Sequence, residues 1–458
     1  MSIGFVVLKN ELITGSLAQQ IKAENFCLFL ASVGVLGVGC SVGWTSPTIK
    51  KLEKQKIITA SQSSWIASAH EIGHFLSPFP VGYLVGKIGR IWLLLAASIL
   101  AIAGWVLVLC FNQGYHIALL YASRVLFGLS MGTVFTVVPL YIAEVAPPTS
   151  RGALSTLFQA MLYLGHLLEY SAGPYSSYTA LAIISMVVAC TWLVTTLCMK
   201  ESPVYLVQNG RNDKAIDNIA WLLNTNDSEI IRAELVKTEQ MLDQRWERSI
   251  WDLFKRGYRA KLTIVCFAAA AQRFTGMSSV VAYAAQTFPS TKGFLNSDQY
   301  TILFGFLVFA FTFVSASLID SLGRRPLMIA SAFGCGVAHA VTAVYFGWNT
   351  DSLTWIPFLS ITSFSVLYSL GIGPIVNTLQ GELFPPELKG YASSIVTIVH
   401  AATSFMVTKS FQVIKNDAGL YVNFIIYAAL CFLSSVIAYL FVPETKRKHL
   451  METQGTED

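Results

Sequence analysis

The chain has 458 residues, of which 54% are hydrophobic and only 12% charged, with a mean hydropathy of +0.57 and a net charge of +5. Soluble globular domains carry about a quarter charged residues, so this composition excludes one and points to a chain that lives in a bilayer. The small positive balance calls for no nucleic-acid partner, because a membrane protein already collects surplus Lys and Arg on one face.

The first 25 residues are polar on the whole. Their short apolar stretch, Ile3–Leu8, runs into Lys9, Asn10 and Glu11 rather than a small-residue cleavage site, so no cleavable signal peptide is expected. Apolar windows long enough to span a bilayer then follow at residues 26–46, 62–84, 91–111, 116–142, 152–172 and 178–199. Residues 200–260 are polar, with Ile231, Leu235 and Leu242 at helical spacing, which predicts amphipathic helices. Six more windows cover 261–286, 299–319, 326–347, 352–380, 390–412 and 418–442, and a short polar tail ends the chain. The cysteines lie almost wholly inside these windows without CxxC pairs, so they read as packing residues, and no metal or cofactor is expected.

An internal repeat organises the spans. Glu144-Val-Ala-Pro147-Pro148-Thr-Ser-Arg151-Gly152 matches Glu382-Leu-Phe-Pro385-Pro386-Glu-Leu-Lys389-Gly390 in the order of acid, proline pair, base and glycine. Gly89-Arg90 recurs as Gly323-Arg324, and Glu201-Ser202 as Glu444-Thr445, in the same order and at nearly the same offset. The predicted fold class is therefore an all-α membrane protein with twelve transmembrane helices in two six-helix bundles, 26–199 and 261–442. Substrate would bind between the bundles at mid-membrane. Counting Lys and Arg by the positive-inside rule puts the linker 200–260 and both termini, 1–25 and 443–458, in the cytoplasm. One loop disagrees, since Lys50, Lys51, Lys54 and Lys56 would then face outside. The repeated bases and acids fall at helix ends on the inner side, where they read as latches that meet when the bundles close; topology signal plus helix capping is the plainer alternative.

Further residues carry a family resemblance. Gly82-Tyr-Leu-Val-Gly-Lys-Ile-Gly89-Arg90, Arg124-Val-Leu-Phe-Gly128, Glu144 to Arg151, Glu201-Ser202-Pro203, Asp320-Ser-Leu-Gly323-Arg324-Arg325, Gly373-Pro374-Ile375 and Pro443-Glu444-Thr445 resemble the sugar porters of the major facilitator superfamily. The form is most similar to insect facilitated trehalose and glucose transporters. The resemblance implies an inner charge relay of Arg90, Glu144, Arg151 and Glu201 in the first half, and of Asp320, Arg324, Arg325, Glu382, Lys389 and Glu444 in the second. Gly86, Ile91 and Val204 depart from the family pattern, so the first-half latch is expected to be the weaker. The resemblance also implies a sugar site. Gln159 and Gln272 match family ligands, while Arg273, Ser278, Asn377 and His400 stand where the family carries Gln, Asn, Trp and Asn.

Arg273 lies in an apolar run, Ala-Ala-Ala-Ala-Gln272-Arg273-Phe-Thr-Gly276. A charge at the bilayer centre costs at least about 2.5–3.5 kcal/mol, so the side chain should face a cavity or an ion partner. It reads either as a contact for a hydroxyl-rich or anionic substrate or as half of a structural pair with Glu71 or Glu169. Gly128-Leu-Ser130-Met-Gly132 matches a hydrolase nucleophile pattern but lies within a helical span, where it reads as close helix packing. The expected protein is not an enzyme but a monomeric facilitator of the plasma membrane, moving a sugar such as trehalose or glucose by alternating access. A proton-coupled sugar or polyol symporter and a non-transporting sugar sensor of the same fold are the alternatives.

Overall fold

A bilayer offers no water to unpaired backbone groups, so spanning segments of this composition close their hydrogen bonds internally as helices. The computed structural model describes residues 30–111, 116–146, 151–243, 250–288, 295–348, 355–384 and 386–444. The predicted N-terminus 1–25, the tail from 445 onward and the side chains of Arg151 and Asp320 lie outside the described residues.

The first bundle consists of α1 (residues 30–43), α2 (Thr45–Lys54), α3 (Ala60–Leu76), α4 (Pro78–Leu84), α5 (Arg90–Phe111), α6 (Ala118–Val145), α7 (Arg151–Ala172) and α8 (Tyr178–Leu197). Three short helices follow, α9 (Pro203–Gln208), α10 (Asn212–Leu223) and α11 (Ser228–Asp243). The second bundle holds α12 (Arg256–Phe274), α13 (Met277–Ala282), α14 (Ala284–Thr287), α15 (Ser297–Leu322), α16 (Arg324–Trp348), α17 (Trp355–Leu370), α18 (Ile372–Leu383), α19 (Pro386–Asp417) and α20 (Leu420–Phe441). Among the described residues, nine helical stretches are long and apolar enough to cross a membrane. The other three of the twelve spans fall short for identifiable reasons. The first begins outside the described residues, the second breaks at Ser77–Pro78, and the polar Gln159, His166 and Glu169 dilute the hydropathy of α7. Polar residues that weaken a span as a span are the ones that later line the centre.

Inside the first bundle, small residues bring backbones together as expected of GxxxG spacing. A Cβ on Gly128 would lie 1.9 Å from the His70 carbonyl oxygen, and one on Gly39 2.2 Å from that of Leu162. Ser130 donates to the Ala97 carbonyl at 2.8 Å, so the nucleophile-like pattern is packing. Between the bundles, α3 packs on α19 and α7 on α15.

The linker helices dock on the first bundle. Tyr205, Leu206 and Ala215 form their own buried cluster with Leu235 against it, and Ile231 and Leu242 are buried, as the spacing predicted. Tyr205 donates to the Lys87 carbonyl at 2.9 Å and Asn209 to that of Gly86 at 3.2 Å, so α9 and its C-cap cover the loop around Gly86.

The lysines that disagreed with the charge rule have a structural use. On the side opposite the linker, Lys50 reaches Asp298 of the other bundle at 2.7 Å, and Lys51 donates to the carbonyls of Gly173 and Ser176. Ser46 accepts from the Ala285 amide at 2.9 Å, and Gln286 joins Glu53 at 3.0 Å to Lys415 at 3.1 Å. The bundles are thus tied together on this side by Lys50, Ser46 and Gln286, while Lys51 fastens a turn of its own bundle. Since Lys50 and Asp298 are about one-third exposed (32% and 36%), their pair contributes at most about 1 kcal/mol. Lys50→Ala should therefore raise the hydrogen-exchange rate of amides in α2 and α14 by up to about fivefold; unchanged exchange would show that the pair does not hold this side shut.

Candidate functional site

Two helices are interrupted at mid-membrane, and both breaks follow from glycine. Gly276 has φ +83°, a conformation that L side chains rarely adopt, and a Cβ there would meet the Tyr427 ring at 2.5 Å. This separates α12 from α13. Gly371 separates α17 from α18, and Pro374 follows it in the first turn of α18. The freed backbone groups are met by side chains, as a membrane interior demands. His339 Nε2 lies 2.8 Å from the Thr275 carbonyl, Ser331 accepts from the Ile372 amide at 3.0 Å, and Gln272 donates to the Gly373 carbonyl. His339 is thereby tied to the helix break through Nε2, while its buried Nδ1 has no partner. Gln272 is partly structural, with its amide nitrogen spent on the helix break and its buried Oε1 left unpartnered.

Arg273, one residue on, anchors a chain of contacts that crosses from one bundle to the other. Its Nε lies 2.5 Å from His400 Nε2, and its Nη1 is 3.1 Å from Ser278 Oγ. Ser278 Oγ is 2.8 Å from Ser404 Oγ, which is 2.9 Å from Glu71 Oε1 on α3. The other oxygen of Glu71 is 3.0 Å from His74 Nδ1. Chemistry orients this chain. A guanidinium only donates and a carboxylate only accepts, so each serine passes its single proton towards Glu71. Similarly, His400 Nε2 accepts from Arg273 and is unprotonated.

Neither acid touches Arg273. Glu71 reaches it through two serines, whereas Glu169 is buried in the first bundle, accepting from Ser185 at 2.5 Å with the Cys40 thiol beside it. Glu71 also faces the field of Arg124, whose guanidinium donates to the carbonyls of Ile66, at 3.0 Å, and Ser41. Of the other expected ligands, Gln159 is half-buried and hydrogen-bonded to the Tyr163 hydroxyl. Asn377 is exposed on α18, one turn beyond Gly373, and no contact links it to the cluster. Residues passed over as ligands include Tyr163, His166, His74, Ser404 and Tyr368. Tyr163, His166 and Tyr368 lie within the electrostatic reach of Arg273, and both ring nitrogens of the buried His166 are unpartnered. Polar side chains within apolar spans were a usable signal for His74 and His166. No such signal marks Ser404, since a serine in a helix commonly bonds its own backbone.

At the linker side the repeated motifs build the same cage twice. Glu201 accepts from the amides of Arg90 and Ile91 at 3.1 and 3.2 Å; Glu444 accepts from those of Arg324 and Arg325 at 3.1 and 3.2 Å. Each carboxylate caps a helix N-terminus, where charge and dipole agree. Gly89 and Gly323 have φ +102° and +94°, and a Cβ on either would strike that carboxylate. Burial raises the Glu201 pKa, with the amides and Arg90 opposing it. Arg90 then grips Glu144 fork on fork, at 2.9 and 2.7 Å, and Arg324 grips one oxygen of Glu382 at 3.1 and 2.7 Å. Both pairs close within one bundle, so capping and ion pairing coexist there. The first-repeat pair is also the more buried, 3% and 2% exposed against 11% and 29%. The reason is that α9 roofs it, with Arg90 5.3 Å from the Tyr205 ring centre.

Two helical bundles in repeat, with polar side chains converging between discontinuous helices at mid-membrane, define a membrane transporter rather than an enzyme. The family model described as sugar (and other) transporter matches residues 14–455. The facilitated trehalose transporter Tret1 of Culex quinquefasciatus is 28% identical over 92% of this chain and 83% of its own length. That of Aedes aegypti is 27% identical over 92% of this chain, which spans only 54% of it. Among solved structures, the proton:xylose symporter XylE, a protein of E. coli, bound to 6-bromo-6-deoxy-D-glucose, superposes with a TM-score of 0.79 at 21% identity over 94% of this chain and 98% of its own. The chain belongs to the sugar (and other) transporter family.

Ser404→Ala would leave Glu71 Oε1 without its hydroxyl donor, a loss of about 1–3 kcal/mol. Thermal unfolding in detergent should show a lowered midpoint for Ser404→Ala and a near-normal one for Ser404→Thr; equal midpoints would mean that the hydroxyl carries no link.

Proposed function

We propose that the protein is a uniporter that moves a sugar such as trehalose or glucose across the plasma membrane by alternating access. The bundles would be residues 26–199 and 261–442, the linker 200–260 and both termini would be cytoplasmic, and the working unit would be a monomer. The observation that carries this reading is the polar chain from Arg273 to Glu71, which joins the bundles at mid-membrane beneath a closed opposite side. The names of the mosquito relatives support the substrate class and the facilitated mode. Gln159, Gln272, Arg273, Ser278 and His400 would contact the substrate, with Asn377 lining the route on the linker side. Arg90, Glu144, Arg151, Glu201, Asp320, Arg324, Arg325, Glu382, Lys389 and Glu444 would form the cytoplasmic gate.

A second reading has one observation in its favour. Glu71 and His74 make a contact of 3.0 Å at the bundle interface, where a carboxylate–imidazole pair can carry a proton. Proteoliposomes holding the full chain separate the two. Uniport predicts saturable counterflow of labelled glucose or trehalose with no alkalinisation of the medium, and equal rates on either side of the imidazole pH range. Sugar-driven proton uptake would replace uniport by symport.

A further inference from the structure

We propose that the preferred substrate is an anionic sugar, a monosaccharide bearing one carboxylate, and that Arg273 is the residue that selects it. This deepens the transport reading and rests on it. The argument begins with an inventory of charge. Two guanidiniums, Arg124 and Arg273, face one carboxylate in the centre, Glu71; Glu169 is engaged elsewhere by Ser185 and Cys40. Among the described residues no carboxylate contacts Arg273, so one positive charge stands in the membrane interior without a direct partner. Such a charge is costly unless a ligand supplies the opposite sign.

The guanidinium keeps hydrogen-bonding capacity for that ligand. His400 takes one edge, with Nε2 at 2.5 Å from Nε and Nδ1 at 3.5 Å from Nη2. Since Nε2 is the accepting nitrogen of a neutral imidazole, Nδ1 bears the proton and gives Nη2 nothing to donate to. The Nη1–Nη2 edge therefore carries only the Ser278 contact, and this edge is the fork that matches a carboxylate. Around it stand buried polar atoms that wait for partners. Gln272 Oε1, both nitrogens of His166 and His74 Nε2 are unpartnered in residues at most 7% exposed. They offer acceptors and donors of the kind that sugar hydroxyls satisfy. A neutral sugar would satisfy these atoms and leave Arg273 uncompensated; an acid sugar satisfies both.

The test uses the purified full chain in proteoliposomes, with labelled glucuronate, gluconate and glucose as probes. The expected result is saturable uptake of a sugar acid with kcat/KM at least about tenfold above that of glucose. It should be accompanied by a current that reverses with a valinomycin-imposed potential, because a uniporter moving a monoanion carries charge. Arg273→Gln should lower the ratio of acid to glucose kcat/KM at least about tenfold, whatever its effect on glucose itself. Should that variant fail to fold, Arg273→Lys keeps the charge without the fork and should raise KM for the acid by a similar factor. An unchanged KM in Arg273→Lys would overturn the selecting role. Saturable glucose transport with no uptake of, or competition by, either acid would overturn this proposal and leave sugar uniport standing. Absence of uptake and of thermal stabilisation by any probe would overturn both.

Discussion

A charge or backbone group inside a bilayer has to find its partner within the protein, and this constraint orders the molecule from the helix breaks outward. The interruptions after Thr275 and at Gly371 free carbonyls and amides that water cannot reach. His339, Gln272 and Ser331 meet them from neighbouring helices. The central site is thus assembled from side chains of which several already hold the scaffold, and the remainder of their hydrogen-bonding capacity faces the interface between bundles. Gln272 illustrates the division, with its nitrogen fixed to Gly373 and its oxygen unspent.

The same constraint explains why the repeat survives most clearly at helix ends. A glycine at positive φ, an arginine and a distant glutamate recur because they solve one problem twice. The glutamate caps the N-terminus of a long apolar helix, the glycine makes room for that carboxylate, and the arginine fastens a second acid of its own bundle. Each element stabilises another, which is why the three appear together in sequence order. The first repeat lacks the extra charges of the second yet buries its pair more deeply, because the linker helix α9 lies over it.

The fold was largely legible from hydropathy and the repeat, since long apolar windows have only one way to satisfy their backbone in lipid. The site was legible in part. Arg273 stood out because a charge in an apolar run is costly and therefore informative, whereas Gln272 and Ser278 were expected only through the family resemblance. Asn377 was expected from the family resemblance alone, which says nothing about whether a small amide reaches the centre; it is exposed on α18, one turn beyond Gly373. Ser404 was invisible for the opposite reason, as its role depends on a tertiary neighbour, Glu71, 333 residues away. The lysines at 50 and 51 were legible only as an anomaly of topology. Counting charges by loop cannot distinguish a lysine that orients a helix from one that reaches across to Asp298 or caps carbonyls at Gly173 and Ser176.

The ties between the bundles are graded, and the grading bears on how such a molecule can move. Those opposite the linker are partly exposed, so water competes for each partner and each bond contributes little. Those at the centre are buried, and breaking one strands a polar group where nothing replaces it. A rocking motion about α3 and α19, which pack on one another across the bundle interface, would open the weakly tied side while the Glu71–Ser404 contact on those two helices changes least. A ligand on the Nη1–Nη2 edge of Arg273, as proposed, would compete with Ser278 for the guanidinium, and Ser278 leads through Ser404 to Glu71 of the opposite bundle.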